Sequence, residues 1–404
     1  MNKILNTKIY IILLSATFFY SCAQSNKSDQ ELQIDNLTTN DSVVEKDKPI
    51  NFNKKLTDIA NFIALNNLSD SLKNIVSNNK ELNKLKIETD TNYNIILKKR
   101  LNKMENWNMA EYIGDMSVKL PVFYPFSGPD FIHVNYLYPN SDTFILTAIE
   151  KIGKLPDFES LSTKSSEKYL QDINFFMRDI YLRGYFITKR MKVDLKETSM
   201  NGLIGSLYWF ISRTNHKIVS QKFVTIDANG EMIDETNVSN GWLKDDHDGV
   251  AFELIDKNGK KKNLIYFSAD ISNEGLTDKN PELKKYLDKM EASNTFVKSA
   301  SYLMHYRSFS MIRDIVLDRS YSFFQDDTGV PYKYFNNDNW TTSLFGRYVN
   351  PIKDFESTMS IITQEDLRNA YDDNSLNKGY LPFSLGYHWR NRKNQNQQFS
   401  VKKN

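Results

Sequence analysis

Residues 217–230 read KIVSQKFVTIDANG, and residues 250–268 read VAFELIDKNGKKKNLIYFS. Each stretch begins with an apolar, β-branched run and continues into a turn that ends in Asn-Gly. Both turn residues tolerate positive φ angles, so Asn-Gly between apolar runs is the strongest short signal for a β-hairpin. The pattern predicts tight turns at 227–230 and 256–259, and strands at 217–226, 250–255 and 264–268.

The two turns are also rich in Asp and Asn, which supply oxygen ligands in calcium-binding loops. Neither turn continues into the ligand order of an EF-hand, which needs Gly at the sixth position and Glu at the twelfth. Turn geometry therefore explains both segments better than cation binding does. The sequence identifies neither a cofactor nor a metal.

Strand and helix patterns alternate on both sides of these hairpins. Apolar periodicity predicts helices at 91–116, 167–184, 198–213, 294–307 and 364–371, after a helical entry that begins near residue 50. Short apolar runs predict further strands at 119–126, 143–150, 321–324, 344–348 and 382–389. We therefore expect one globular domain over residues 50–390, of α/β or α+β class, with a mixed sheet and a helical N-terminal part. The basic, Asn- and Gln-rich segment 391–404 is expected to be a disordered tail.

The N-terminus has the organisation of an export signal. Met1–Lys8 contains two lysines and no acid, Ile9–Phe19 is almost wholly apolar, and Ser21 precedes Cys22, the one cysteine of the chain. This pattern resembles a bacterial lipoprotein signal, which implies that residues 1–21 are removed and that Cys22 carries the lipid. Because Ala23 follows rather than Asp, the resemblance implies the outer membrane, with the protein facing the periplasm or the cell surface. An ordinary secretory peptide or an uncleaved anchor is the alternative.

Polar residues without periodicity follow the cysteine, so residues 22–49 are expected to be a flexible tether. The rest of the chain has no further cysteine, which excludes a disulfide, a thiolate metal site and a cysteine nucleophile after Cys22. Basic and acidic side chains are nearly balanced, at 52 against 50. This balance argues against a nucleic-acid partner, because such partners need a basic surface.

One candidate site lies in Ser127–His133, which reads SGPDFIH. If the chain turns helically from Pro129, Asp130 and His133 share a face and can couple as a base and the group that orients it. The alternative is that Asp130 satisfies backbone N–H groups at the turn and that His133 is structural.

Two further candidates lie towards the C-terminus. His305 falls on the polar face of the helix expected at 294–307, where a structural role is the alternative. Asp326 and Asp327 precede a Gly-Val-Pro turn and are suited to acid–base chemistry or cation binding. They are equally suited to capping the turn and pairing with nearby arginines.

Several segments of the body resemble a scattered family of bacterial proteins of unknown function. They are Gly128–Phe131, Phe267–Asp270, Ser301–His305 and Gln325–Pro331. The resemblance implies no activity and assigns no catalytic residue. The sequence also lacks a phosphate-binding P-loop, a dinucleotide-binding glycine motif, HExxH and GxSxG.

Two functions therefore remain open. The first, which the absence of any motif that demands catalysis favours, is a non-enzymatic binding or assembly module that is anchored to the outer membrane and contacts an envelope protein or a glycan. The second is a membrane-tethered hydrolase that uses Asp130, His133, His305, Asp326 and Asp327. The second requires these side chains to lie within a few ångströms of one another around one concave pocket, with perturbed pKa values, which a structure can test.

Overall fold

The computed structural model describes residues 51–403, except for 108, 115–116, 236–246, 336–337, 374, 377 and 391–394. The expected signal peptide, Cys22 and the tether lie outside the described residues. Residues 49–404 form one compact unit. Within the described part of the chain, no helix is long and apolar enough to cross a membrane.

The described strands form one mixed sheet in the order β4-β3-β5-β6-β2-β1-β7-β8-β10-β9. The strands are β1 (Val122–Pro125), β2 (Thr143–Ala148), β3 (Lys217–Ile226), β4 (Met232–Asp234), β5 (Gly249–Ile255), β6 (Lys261–Ser268), β7 (Ser293–Val297), β8 (Ser320–Gln325), β9 (Trp340–Gly346) and β10 (Asn396–Lys402). The five central strands, from β6 to β8, are parallel, and antiparallel strands extend the sheet on both sides.

Helices cover both faces of the sheet. They are α1 (Lys54–Ile63), α2 (Asp70–Asn78), α3 (Lys80–Ile96), α4 (Asn102–Glu105), α5 (Ala110–Ile113), α6 (Phe131–Leu137), α7 (Thr163–Phe176), α8 (Arg178–Leu182), α9 (Thr188–Glu197), α10 (Ile204–Arg213), α11 (Pro281–Lys289), α12 (Ser310–Arg319), α13 (Met359–Ile362) and α14 (Glu365–Asp372). One core contains residues of α1 to α10 and Tyr124 of β1, and a second contains residues of α11 and α12 and the adjacent Phe123. Neighbouring strand residues thus enter different cores, as expected for a sheet buried on both faces. The predicted fold class, a mixed α/β domain with a helical N-terminal part, is confirmed.

Both predicted hairpins are present. β3 pairs with β4 across the 227–230 turn, with Ile226 opposite Met232, and β5 pairs with β6 across the 256–259 turn, with Ile255 opposite Lys261. In each turn the Asp side chain accepts hydrogen bonds from backbone N–H groups. Gly230 and Gly259 have φ values of 81° and 82°, the left-handed region that the Asn-Gly signal anticipates.

The expectation of a disordered tail is wrong over residues 396–402. These residues form β10, an interior strand between β8 and β9, and its first five residues are buried. Its amide side chains find partners inside the sheet. Gln325 Nε2, for example, donates to Gln398 Oε1 at 3.1 Å. Paired amides allow a polar segment to occupy a core position, which composition alone does not reveal.

Two further segments differ from the sequence-based expectation. The predicted helix at 294–307 is instead β7, followed by short 3₁₀ turns at Leu303–His305 and Arg307–Phe309. A short apolar run fits either periodicity, and here the buried parallel strand prevails. The strand predicted at 382–389 is absent, and Gly386–Arg390 forms a 3₁₀ turn.

The order of the parallel strands creates a switch point in the sheet. From β1 the chain moves to β2 and β6 on one side, and later to β7 and β8 on the other. The loops after β1 and β7 therefore leave the sheet in opposite directions at the carboxyl ends of these strands. In open α/β sheets, ligands bind at this place.

Candidate functional site

Loops at the carboxyl ends of β1, β7 and β8 bring four charged side chains to the switch point. Asp130 follows β1, Lys298 follows β7 directly, and Asp326 and Asp327 follow β8 directly. His133 of α6 and His388 of the 386–390 turn complete the group. We call these six residues the carboxyl-edge cluster.

A buried ion pair crosses the switch point. Lys298 Nζ lies 2.7 Å from Asp130 Oδ2, and both side chains are 1% exposed. The Tyr124 hydroxyl donates to the same Asp130 oxygen at 3.1 Å. Burial favours the neutral carboxyl, but His133 and Lys298 outweigh it and lower the pKa of Asp130 to about 2. Asp130 is therefore ionised at every physiological pH.

The hydrogen bonds of His133 fix its tautomer. Arg100 Nη1 lies 3.2 Å from His133 Nε2, and since a guanidinium only donates, Nε2 is the acceptor. The proton is then on Nδ1, which donates to Asp130 Oδ1 at 2.7 Å. Burial lowers the pKa of His133 to about 4 although the charge of Asp130 opposes it, so the ring is neutral at pH 7. Both nitrogens are occupied, and His133 orients Asp130 rather than taking a proton.

The predicted contact between Asp130 and His133 is thus present, as is the predicted cap. Asp130 is the N-cap of α6, and its side chain accepts from the backbone N–H of His133 at 3.4 Å. Helical spacing in α6 places the imidazole on the same side as the cap. The coupled pair and the helix cap are therefore compatible, because the Asp130 carboxylate accepts from both the ring and the backbone N–H of His133.

Lys298 has a second hydrogen-bond acceptor, in the loop after α8. Its ammonium donates to the carbonyl of Gly184. Gly184 has a φ of 80°, which favours glycine, and a Cβ there would lie 2.1 Å from Arg100 Nη1, so the glycine lets Arg100 approach this loop closely. Burial lowers the pKa of Lys298, while Asp130 opposes that effect.

Asp326 is a carboxyl with a high proton affinity. It accepts from the Ser299 N–H at 3.0 Å and from the hydroxyl and N–H of Thr328. Burial and the charge of Asp327 nevertheless raise the pKa of Asp326 to about 6. This value is in the range that suits a general acid near neutral pH.

Asp327 faces a histidine that the sequence analysis did not select. Asp327 Oδ2 accepts from the Tyr302 hydroxyl at 2.6 Å, and Asp327 Oδ1 lies 3.8 Å from His388 Nε2. Neither Asp327 Oδ1 nor His388 Nε2 has a hydrogen-bond partner among the described residues. Burial favours neutral His388, but Asp327 outweighs it and raises the pKa of the ring. The His388 side chain is 14% exposed and the Asp327 side chain is fully buried, so the histidine is the member of the pair that reaches the surface.

The loop after β7 has an unusual backbone. Ser299, Ser301 and Tyr302 have φ values of 52°, 54° and 58°. Left-handed conformations cost non-glycine residues on the order of 1–2 kcal/mol each. This conformation places the Ser299 N–H on Asp326 and the Tyr302 hydroxyl on Asp327. Strained backbone of this kind is concentrated at functional sites.

His305 lies at the same edge of the sheet, in the 3₁₀ turn after β7 rather than on a helix. Its ring packs edge-on against Tyr302, with centroids 5.2 Å apart. Burial lowers the pKa of His305 to about 4, although the facing Asp327 opposes it. His305 thus borders the cluster through Tyr302 and Asp327.

A loop from the C-terminal part closes over the two aspartates. A Cβ on Gly386, which has a φ of 69°, would lie 1.9 Å from Asp326 Oδ2. Next to it, the Tyr387 hydroxyl contacts the Ser301 hydroxyl at 2.8 Å and donates to the Ser299 carbonyl at 3.3 Å. Gly386 therefore permits the close approach that brings His388 to Asp327.

All five sequence-predicted residues thus converge at one edge of the sheet, whereas Arg100, Lys298 and His388 were missed. Lys298 directly follows an apolar run. If that run had been assigned as a strand, Lys298 would have been recognised as a candidate at the carboxyl end of a strand. No sequence signal distinguishes His388, which lies far along the chain from its partner. No group of three or more His, Cys, Asp or Glu side chains with metal-binding geometry is present in the described part of the chain.

Comparison of the chain with protein-family models, with curated proteins and with solved structures gave no match.

Proposed function

We propose that this protein is a lipid-anchored hydrolase of the bacterial cell envelope, attached to the outer membrane through Cys22. The convergence of carboxylates, a lysine and histidines at the switch point carries the hydrolase assignment, because ligands of open α/β sheets bind at this place and groups with perturbed pKa values are concentrated at active sites. The lipoprotein-like N-terminus supports the anchor and the location.

In this proposal, Asp327 and His388 form the acid–base pair. His388 directs Nε2 towards Asp327 Oδ1, so Nδ1 is the nitrogen that takes a proton from the attacking water. The carboxylate stabilises the imidazolium that results. In this proposal the separation of 3.8 Å shortens in the substrate complex, as is common for catalytic hydrogen bonds.

Asp326 supplies the complementary acid. With a pKa near 6 and a position beside Asp327, it donates a proton to the leaving group. Asp130, His133 and Lys298 do not exchange protons in this scheme. The buried charges of Asp130 and Lys298 fix the loops after β1 and β7 and set the electrostatic potential around Asp326. Neutral His133 orients Asp130.

Hydrolysis of p-nitrophenyl esters, phosphates and glycosides by the purified full-length protein in detergent tests the proposal. We expect turnover of at least one class. His388→Gln and Asp327→Asn should each lower kcat by about 100-fold or more, the contribution of a general base. The melting temperature of each variant reports whether the fold is intact.

His247→Gln is the matched control. His247 is also buried beside an acid, with its Nδ1 2.6 Å from Glu235 Oε2, but it lies two residues before β5, in the antiparallel part of the sheet. It should retain the wild-type rate. Absence of turnover over the whole panel, or an equal loss in the control, contradicts the hydrolase assignment.

A binding or assembly module remains the second candidate function. It is favoured by the enclosure of Asp130, His133 and Lys298, whose polar atoms are engaged with one another rather than directed at solvent. Such a module would contact an envelope protein or a glycan. Saturable ligand binding at the cluster without turnover supports this candidate.

A further inference from the structure

A separate cavity of about 640 Å³ lies beside the carboxyl end of β2. One wall is the segment that leaves β2, at residues 149–151. A second is one face of α9, where Thr188, Lys192 and Leu195 recur at helical spacing. The turn after α9 closes the third side. The volume is typical of a site for a small molecule.

The cavity is distinct from the carboxyl-edge cluster. α9 separates the two, because its Met191 side chain lies on another face and reaches the loop after β1. A Cβ on Gly128 of that loop would lie 3.4 Å from Met191 Cε. The helix thus presents Met191 to the cluster's loop and Lys192 to the cavity.

Three lysines give the cavity a positive wall. Lys151, Lys192 and Lys196 all line it. None of the three has an acidic partner within 4.0 Å in the described part of the chain. Lys151 contacts only a neutral amide, Asn201 Oδ1, at 3.2 Å. Uncompensated lysines around a concavity attract an anionic ligand.

A buried carboxyl belongs to the same wall. Glu150 lines the cavity and is 6% exposed, and neither of its carboxylate oxygens has a hydrogen-bond partner among the described residues. A buried polar group without a partner costs stability, and a ligand group that donates a hydrogen bond to it would remove that cost. A hydroxyl group is such a donor.

The remaining lining defines the ligand's body. Thr188, Thr198, Ser199 and Asn201 carry short side chains that exchange hydrogen bonds with hydroxyl groups, and Leu195 provides an apolar surface. We propose that the cavity binds an anionic sugar, a polyhydroxylated ring that bears a carboxylate or a phosphate. The anion contacts the three lysines, and ring hydroxyls reach Glu150 and the small polar side chains.

Calorimetric titration of the full-length protein in detergent tests the proposal with glucuronate, glucose 6-phosphate, glucose and inorganic phosphate. Both anionic sugars should bind, and glucose and phosphate should bind at least about tenfold more weakly, because each lacks one half of the recognised chemistry. The readout is binding, so the result is independent of the hydrolase assignment.

The double variant Lys192→Ala/Lys196→Ala should bind both anionic sugars about tenfold or more weakly than the wild type. Lys164→Ala/Lys189→Ala removes the same charge from exposed positions that do not line the cavity, one of them on α9, and should leave their affinity unchanged. Glu150→Ala should weaken the binding of both anionic sugars. A melting curve of each variant verifies folding. Absence of binding by both anionic sugars, equal losses in the two double variants, or phosphate binding as tightly as the sugars overturns the proposal.

Comparing galacturonate with trigalacturonate distinguishes the two sources of such a ligand, which are an acidic glycan chain and a free sugar acid or sugar phosphate. Tighter binding of the trimer identifies an acidic glycan chain as the occupant. Equal or tighter binding of the monomer identifies a free sugar acid or sugar phosphate. Both results support the shared chemistry.

Discussion

At the scale of single residues, the Asp130–Lys298 pair controls the electrostatics of the switch point. Removing one partner of a buried pair leaves an uncompensated charge, which typically costs about 3–5 kcal/mol. We therefore expect Asp130→Asn and Lys298→Met each to lower the free energy of unfolding by about this amount. The double variant should lose far less than the sum, since no lone charge remains. Urea denaturation measures all three.

The exposed pair of Lys54 and Asp58 on α1 is the control for this cycle. Its nitrogen and oxygen are 2.5 Å apart, but the lysine side chain is 76% exposed. Solvent screens such pairs, so its coupling should be below about 1 kcal/mol. A coupling energy at Asp130–Lys298 that is no larger would show that the pair does not act as a unit.

Glu150 predicts a pH dependence of stability. Burial raises its pKa from 4.5 to about 7, so below pH 4.5 both the folded and the unfolded chain carry the proton. Between pH 4.5 and 7 only the unfolded chain releases it, and stability falls as the pH rises. Glu150→Gln should consequently be more stable than the wild type by about 3 kcal/mol at pH 8 and no more stable at pH 4.5.

Urea unfolding at the two pH values measures this effect, with exposed Glu197→Gln as the control that keeps the wild-type profile. If Glu150→Gln is more stable than the wild type by the same free energy at both pH values, packing rather than ionisation is the cause of the difference.

Single residues were predictable from the sequence where they adjoin a strong local signal. Asp130, Asp326 and Asp327 stand next to turns that Gly and Pro mark, and those turns follow apolar runs. Lys298 and His388 lack such a neighbour, because their roles come from the pairing of β7 with β1 and from a loop that returns to β8. Contacts over these separations depend on topology, which local pattern does not contain.

At the scale of elements, strands with alternating or β-branched patterns were predictable, and β3 was predicted with its observed bounds. β7 was not, because five buried residues fit a helix as well as a strand. β10 was missed for another reason. Its Asn and Gln residues suggest solvent exposure, yet they pair with amides and backbone groups of β8 and the loop after it, as Asn396 does with the Asp327 N–H at 3.0 Å.

Phe399 tests whether β10 is part of the core. It is 1% exposed, and its ring packs against Tyr112 and Phe324 at centroid distances of 5.4 and 5.7 Å. Phe399→Ala should lower the free energy of unfolding by about 3–5 kcal/mol, as for other buried aromatic truncations.

Tyr380→Ala, at a side chain that is 50% exposed, removes a ring of similar size as the control and should cost far less in the same urea titration. If the two variants unfold at the same urea concentration, β10 does not contribute to the core as described.

At the scale of the whole molecule, the anchor and the body are expected to be separable. Cys22→Ser removes the proposed lipid site, and several acyl chains are what hold a lipoprotein in the bilayer. The variant should move from the membrane pellet to the soluble fraction while its melting temperature stays within about 2 °C of the wild type, because the compact unit begins at Pro49.

Fractionation after alkaline extraction checks the first result, with Ser21→Ala as a control that leaves the cysteine in place. A Cys22→Ser protein that stays in the extracted pellet contradicts the lipid anchor.

The interior position of β10 sets the order of events during folding. Among the described strands β10 comes last along the chain, so the strand that fills the place between β8 and β9 becomes available after every other strand of the sheet. Until then β9 has no neighbouring strand within the described sheet, and β8 offers an open edge to any other extended chain. Assembly of this side of the sheet therefore waits for residues 396–402.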